Sequence, residues 1–109
     1  MTPYIVKHRS GAPHFALRLG VDGKVLCYSG DTEWVDGLRA AAQGADLFIA
    51  EAYFFDKAVR FHLDFATLAA QLPTLGAKRV ILTHMSADML ARIQDTGAEI
   101  AEDGMTISL

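Results

Sequence analysis

The chain has 109 residues, a formal charge of −3 and 51% apolar residues, with a slightly positive mean hydropathy. That length allows one domain with a modest core, taken as residues 1–109. Its apolar runs fall far short of the ~20 residues of a membrane helix, and its lysines and arginines are scattered, without the basic patch that nucleic acid calls for, so neither partner is expected.

The first residues, Met1 to Tyr4, lack the basic region and long apolar run of a signal peptide. The single Cys27 cannot form an internal disulfide, which fits a reducing compartment; together these lead to the expectation of a cytoplasmic protein. So apolar a composition in a small domain also predicts surface covered by another subunit or by a missing partner.

In chain order, Tyr4 to Lys7 predicts a first strand ending at His8. Phe15, Leu17, Leu19 and Val21 alternate with other residues as a half-buried strand does. Val21-Asp22-Gly23-Lys24 is a hairpin signal, with Val25 to Tyr28 as the returning arm. Thr32 is placed to cap a helix running to Gln43, its inner face formed by Val35, Leu38, Ala41 and Ala42, with Gly44 as the stop. Leu47 to Ala50 predicts a short strand buried on both faces. Tyr53 to Leu63 reads as loop. Asp64 caps a helix carrying Phe65, Leu68, Ala69 and Leu72, with Pro73 as its predicted end. Val80 to Leu82 is the next strand, Ser86 caps a helix with Met89, Leu90 and Ile93 on one stripe, and Glu99-Ile100 with Met105 to Leu109 forms a closing hairpin across Asp103-Gly104. The alternation gives an α/β fold with a mixed sheet and helices on at least one face.

Three of these strands run into residues that a metal accepts: Tyr28 into Ser29-Gly30-Asp31-Thr32, Ala50 into Glu51, and Thr83 into His84. In open α/β sheets ligands gather beyond the carboxyl ends of the strands. Taken singly, Asp31 is a helix-capping residue and His84 a structural histidine. Two such junctions in one small sheet favour a shared site, and imidazole nitrogen with carboxylate oxygen suits Zn²⁺, Mn²⁺ or Fe²⁺. Glu51 reads either as an acceptor that orients a ligand histidine or as a helix-edge charge paired with an arginine, the first being preferred. His14 reads as structural or solvent-facing. A nucleotide-binding domain is disfavoured, because Ser29-Gly30-Asp31-Thr32 has one glycine and an acid where a phosphate would sit.

In this order, Tyr28 to Thr32, Ala45 to Glu51, His62-Leu63-Asp64 and Leu82-Thr83-His84-Met85-Ser86 resemble the carboxy-terminal half of metallo-β-lactamase-fold hydrolases. The nearest branch holds the tRNA 3′-end processing nuclease and phosphodiesterases of the phosphonate pathway. The resemblance implies half of a four-layer αββα sandwich, with a mixed sheet and helices on one face. It also implies a hydrolase that cleaves an ester or phosphodiester with metal-activated water. By the same resemblance, His8, Asp31 and His84 are metal ligands, Asp31 as the bridging carboxylate, and His62 is the catalytic general acid. The implied cofactor is a divalent metal, Zn or Mn, and the three ligands that remain suffice for a single ion.

One departure is large: the family's H-x-H-x-D-H motif is absent, since His8, His14, His62 and His84 are the four histidines and no two are separated by a single residue. The resemblance therefore covers one half of the sandwich. Two consequences are expected. The chain forms a homo-oligomer or meets a missing amino-terminal half, and the alternative to an enzyme is a truncated or split remnant, inactive alone, that serves as an oligomerising or partner-binding module.

Overall fold

The computed structural model of the chain describes residues 2–6, 14–30, 32, 34–57, 62–101 and 106. Asp22 and Gly23 both take positive φ, 52° and 76°, the pattern of a type I′ turn, whose twist matches the strands it joins. That turn sets Val21 opposite Lys24 and fixes the register of β2 (His14–Val21) with β3 (Lys24–Tyr28). The remaining strands are β1 (Thr2–Val6), β4 (Leu47–Glu51), β5 (Val80–Thr83) and β6 (Glu99–Ile100), and the six lie side by side in chain order. The β1–β2 and β2–β3 pairs are antiparallel; β3–β4, β4–β5 and β5–β6 are parallel.

Three helices make the parallel crossovers: α1 (Asp36–Ala42), α2 (Phe65–Leu75) and α3 (Ala87–Ala91). Parallel strands that follow in chain order, joined by right-handed crossovers, carry all their helices on one face. The core agrees, since Leu38, Ala41 and Ala42 of α1, Leu68 and Leu75 of α2 and Met89 of α3 cluster with Cys27, Phe48, Ala50 and Leu82 of the sheet. Arg18, on the same face as Cys27 by register, donates to the carbonyls of Ala41 and Gln43 at 2.8 and 2.7 Å. It thereby satisfies orphan carbonyls at the end of α1 and ties that helix to β2.

The other face carries Leu17, Leu19, Leu26, Tyr28, Leu47 and Ile49 by the same alternation. Leu47 is 3% exposed, Tyr28 39% and Val21 52%, so this face too is apolar. Among the described residues, no helix is long and apolar enough to cross a membrane.

Two expectations need correction. The first helix starts at Asp36 rather than after Thr32, and its N-cap residue, Val35, makes no side-chain cap. Thr32 lies four residues ahead of the helix, and its amide donates to the Glu51 carboxylate at 2.9 Å, which ties it to the end of β4. Pro73 does not end α2 but lies inside it, and the helix stops at Gly76, whose φ of 71° is the left-handed conformation glycine adopts cheaply. Proline in the last turn costs one hydrogen bond there, which packing of Leu68 and Leu75 outweighs. The expected closing hairpin falls mostly outside the described residues: its first arm, Glu99-Ile100, is a strand paired parallel to β5, and of the returning arm, 105–109, only Thr106 is described. The predicted caps at Asp64 and Ser86 are present, accepting from the amides of Thr67 and Met89.

A candidate metal and acid–base centre

Glu51 is the last residue of β4, and its side chain is 1% exposed. A carboxylate so deeply buried requires donors. Its backbone amide donates to Ser29 Oγ at 3.0 Å, while that hydroxyl donates to the Gly30 carbonyl at 2.8 Å. Its Oε2 accepts the Thr32 amide, and its Oε1 meets Nδ1 of His62. Ser29 and Thr32 are thus both bonded to the last residue of β4, and Gly30, with φ of 65°, takes the left-handed conformation between them.

His62 is held from both sides. The next residue, Leu63, is 1% exposed and part of the core, and Asp64 caps α2 through its Oδ2 with the Thr67 amide at 2.9 Å and through Oδ1 with the Thr67 hydroxyl at 2.7 Å. The Tyr53 amide donates to the Leu63 carbonyl at 2.8 Å, and the first amides of α2, from Phe65 and Ala66, donate to the carbonyls of Phe54 and Phe55. These bonds lay the 53–55 segment along the start of α2. With Nδ1 directed at Glu51, the ring orientation and tautomer of His62 are set by that carboxylate.

His84 follows β5 and has φ of 53°. A histidine in the left-handed region is uncommon and carries a cost on the order of 1–3 kcal/mol, a feature that gathers at functional sites. The ring stacks beside His62 with centroids 5.6 Å apart. Tyr53 completes a triangle of rings, stacked on His62 at 4.7 Å and tilted toward His84 at 5.5 Å. Its carbonyl accepts the Ser86 amide at 2.9 Å, so one residue braces both histidine segments.

Glu51, His62 and His84 each offer one ligand atom, and these atoms lie within 4.8 Å of one another. Two imidazoles and a carboxylate form a donor set suited to a divalent ion of nitrogen and oxygen preference. Of the residues singled out in the sequence, these three come together at the carboxyl end of the parallel strands. His8 and Asp31 lie outside the described residues. His14 opens β2, paired with Val6 of β1. Sequence reasoning missed Tyr53, whose one available signal was an aromatic residue two positions after a strand-terminal acid, and missed that the Thr32 backbone serves Glu51.

A family model described as a beta-lactamase superfamily domain matches residues 1–85. Ribonuclease Z of Gemmatimonas aurantiaca is 36% identical over 101 residues, which is 80% of this chain and 32% of that protein. Ribonuclease Z of Methanothermobacter thermautotrophicus is 34% identical over 100 residues, 80% of this chain and 33% of that protein. The chain therefore spans about a third of the length of these curated relatives. Among solved structures, the short form of human tRNase Z superposes with a TM-score of 0.74 at 28% identity, covering 97% of this chain and 41% of that one. The metallo-β-lactamase fold protein YhfI of Bacillus subtilis gives 0.77 at 20% identity, with 95% and 47% coverage, a likeness of fold. From its motifs, its sheet and these matches, the chain belongs to the beta-lactamase superfamily and carries part of the metallo-β-lactamase fold.

Proposed function

We propose that this chain provides the late-ligand half of a metal-dependent phosphodiester hydrolase. The observation that carries the proposal is the buried Glu51 carboxylate holding His62 Nδ1 beside the ring of His84 at the strand ends. Both Glu51 oxygens already engage donors, which supports Glu51 as the group that orients His62 rather than as a metal ligand. His84 is then the ligand this rim offers, with Asp31 and His8 as its companions by resemblance. A divalent ion bound there, Zn or Mn, supplies Lewis acidity and activates water at neutral pH. His62 carries a proton on Nε2 and delivers it to the departing oxygen of the phosphodiester, Glu51 holding the tautomer and stabilising the imidazolium form.

The charge of −3 argued against nucleic acid. That argument has no support from the relatives, which are ribonucleases by name, and an RNA phosphodiester stands as a substrate for this site. Calorimetric titration of the chain with Zn²⁺ and Mn²⁺ tests the reading, alongside hydrolysis of a generic phosphodiester with and without metal. Binding that disappears in His84→Ala supports it; no binding to the unaltered chain removes it.

A second reading has its own observation. The chain spans about a third of its relatives, lacks H-x-H-x-D-H, and turns a largely apolar sheet face away from its helices. In this reading it is a module that acts only when a second sheet, from another copy or from a separate amino-terminal half, covers that face. Sedimentation as a monomer at micromolar concentration, with metal binding intact, counts against it.

A further inference from the structure

The loop after Glu51 carries three consecutive aromatic residues with different surroundings. Phe55 packs against the core cluster, lies 5.4 Å from Phe65 and is capped by Arg92, whose guanidinium carbon sits 3.6 Å from the ring centroid. Arg92 also pairs with Asp56 at 3.4 Å, which offsets the nearest acid of this loop. Tyr53 belongs to the ring triangle with His62 and His84. Phe54 differs from both: it is not part of the core cluster, is only half-buried, and meets Tyr53 edge-on at 4.8 Å. Over its ring, at 5.4 Å, lies the ammonium of Lys57, an exposed residue.

An unbroken path therefore runs outward from the candidate centre: the histidines, Tyr53, Phe54, then Lys57. It alternates π faces with a terminal cation, which is what a single strand of nucleic acid requires. Every base offers a face for stacking, and every linkage carries a negative charge for an ammonium. The spacing suits a short reach, since the path begins at rings that border the proposed reaction site.

We propose that Phe54 and Lys57 form a subsite for an unpaired nucleotide next to the scissile linkage, its base stacking on Phe54 and its phosphate paired with Lys57. The proposal deepens the phosphodiesterase reading and rests on it for the position of the scissile bond. Binding, however, is measurable without catalysis. In the unbound chain Lys57 rests on the Phe54 ring and covers it; a base takes its place, and the ammonium swings to the phosphate.

The test is fluorescence anisotropy with the full chain, free of added metal so that no cleavage occurs, using a labelled single-stranded octaribonucleotide and the same oligomer with abasic sugars. Loss of one stacking contact predicts at least about fivefold weaker RNA binding for Phe54→Ala. Phe54→Leu, which keeps the apolar bulk and guards against misfolding, is expected to weaken binding similarly. Neither variant is expected to change binding of the abasic oligomer. Lys57→Ala weakens both oligomers and lowers the slope of log affinity against log salt by about 0.7, the share of one phosphate on a single strand. The proposal is overturned if the unaltered chain binds neither oligomer, if it binds both equally, or if both Phe54 variants bind RNA as well as the parent. Failure of the hydrolase reading looks different: RNA binding with these dependences, but no cleavage once Zn²⁺ or Mn²⁺ is added.

Discussion

The two ends of the parallel strands use charge in opposite ways. Where the strands begin, Asp46 accepts the Val25 amide at 2.7 Å and the Lys78 ammonium at 3.1 Å, and Arg79 grips Glu99 with two bonds of 2.7 and 2.6 Å. Arg79 and Glu99 are substantially exposed, as is Lys78, and each charge meets its opposite. Where the strands end, Glu51 is buried, is held by one backbone amide and one imidazole, and stands beside a second imidazole in a strained backbone. The first arrangement fastens neighbouring strands and does nothing further. The second spends burial and backbone strain to hold a carboxylate and two imidazoles in one geometry, which is how the candidate site differs from scaffolding in so small a sheet.

Breaking the carboxyl end has the largest expected effect. Glu51→Ala removes the acceptor of the Thr32 amide and releases His62, so urea denaturation is expected to show a loss of roughly 2–3 kcal/mol, with metal binding by calorimetry retained if Glu51 orients His62 and lost if Glu51 is itself a ligand. Next comes a separation of stability from function at the same rim. His84→Gly relieves a left-handed conformation and is expected to hold or raise the melting temperature, by on the order of 1 kcal/mol in stability, while abolishing metal binding by calorimetry. A lowered melting temperature in that variant would show that the ring matters more to the fold than the backbone strain does.

The opposite rim predicts less. Arg79→Met removes a solvent-exposed pair and is expected to shift the denaturation midpoint little, leaving metal affinity unchanged. Its contribution also depends on pH in a defined sense. The Val25 amide, then Lys78, holds the Asp46 carboxyl below its ordinary value, and the Arg79 hydrogen bond does the same for Glu99. Both groups therefore bind fewer protons in the folded chain. The stability they contribute is complete above about pH 4, the ordinary carboxylate range, and is lost as pH falls through their depressed folded values. Melting curves from pH 6 to 2 should show this, and Asp46→Asn with Glu99→Gln should flatten the acid limb.

Local signals made much of the fold legible. Asp22-Gly23 specified its turn, because few residues accept two successive positive φ angles. Asp64 and Ser86 announced their helices, because a side-chain oxygen before an apolar stripe has an amide to accept. Thr32 had the same appearance but does not cap, because the helix begins four residues later and Thr32 is tied instead to Glu51, nineteen positions on, a long-range bond that no local pattern announces. Pro73 failed as a stop because tertiary packing of α2 outweighs one missing hydrogen bond. At the site, strand-terminal position was enough to pick out Glu51 and His84. The bond from Glu51 to His62 and the ring triangle with Tyr53 depend on how a loop folds back across the sheet, a distance relation that no local pattern encodes.

The left-handed backbone at His84 also makes that position easy to edit cleanly. Asparagine accepts the same conformation. A His84→Asn chain would keep its bend and give up the imidazole, so cation loading could be followed without disturbing the sheet.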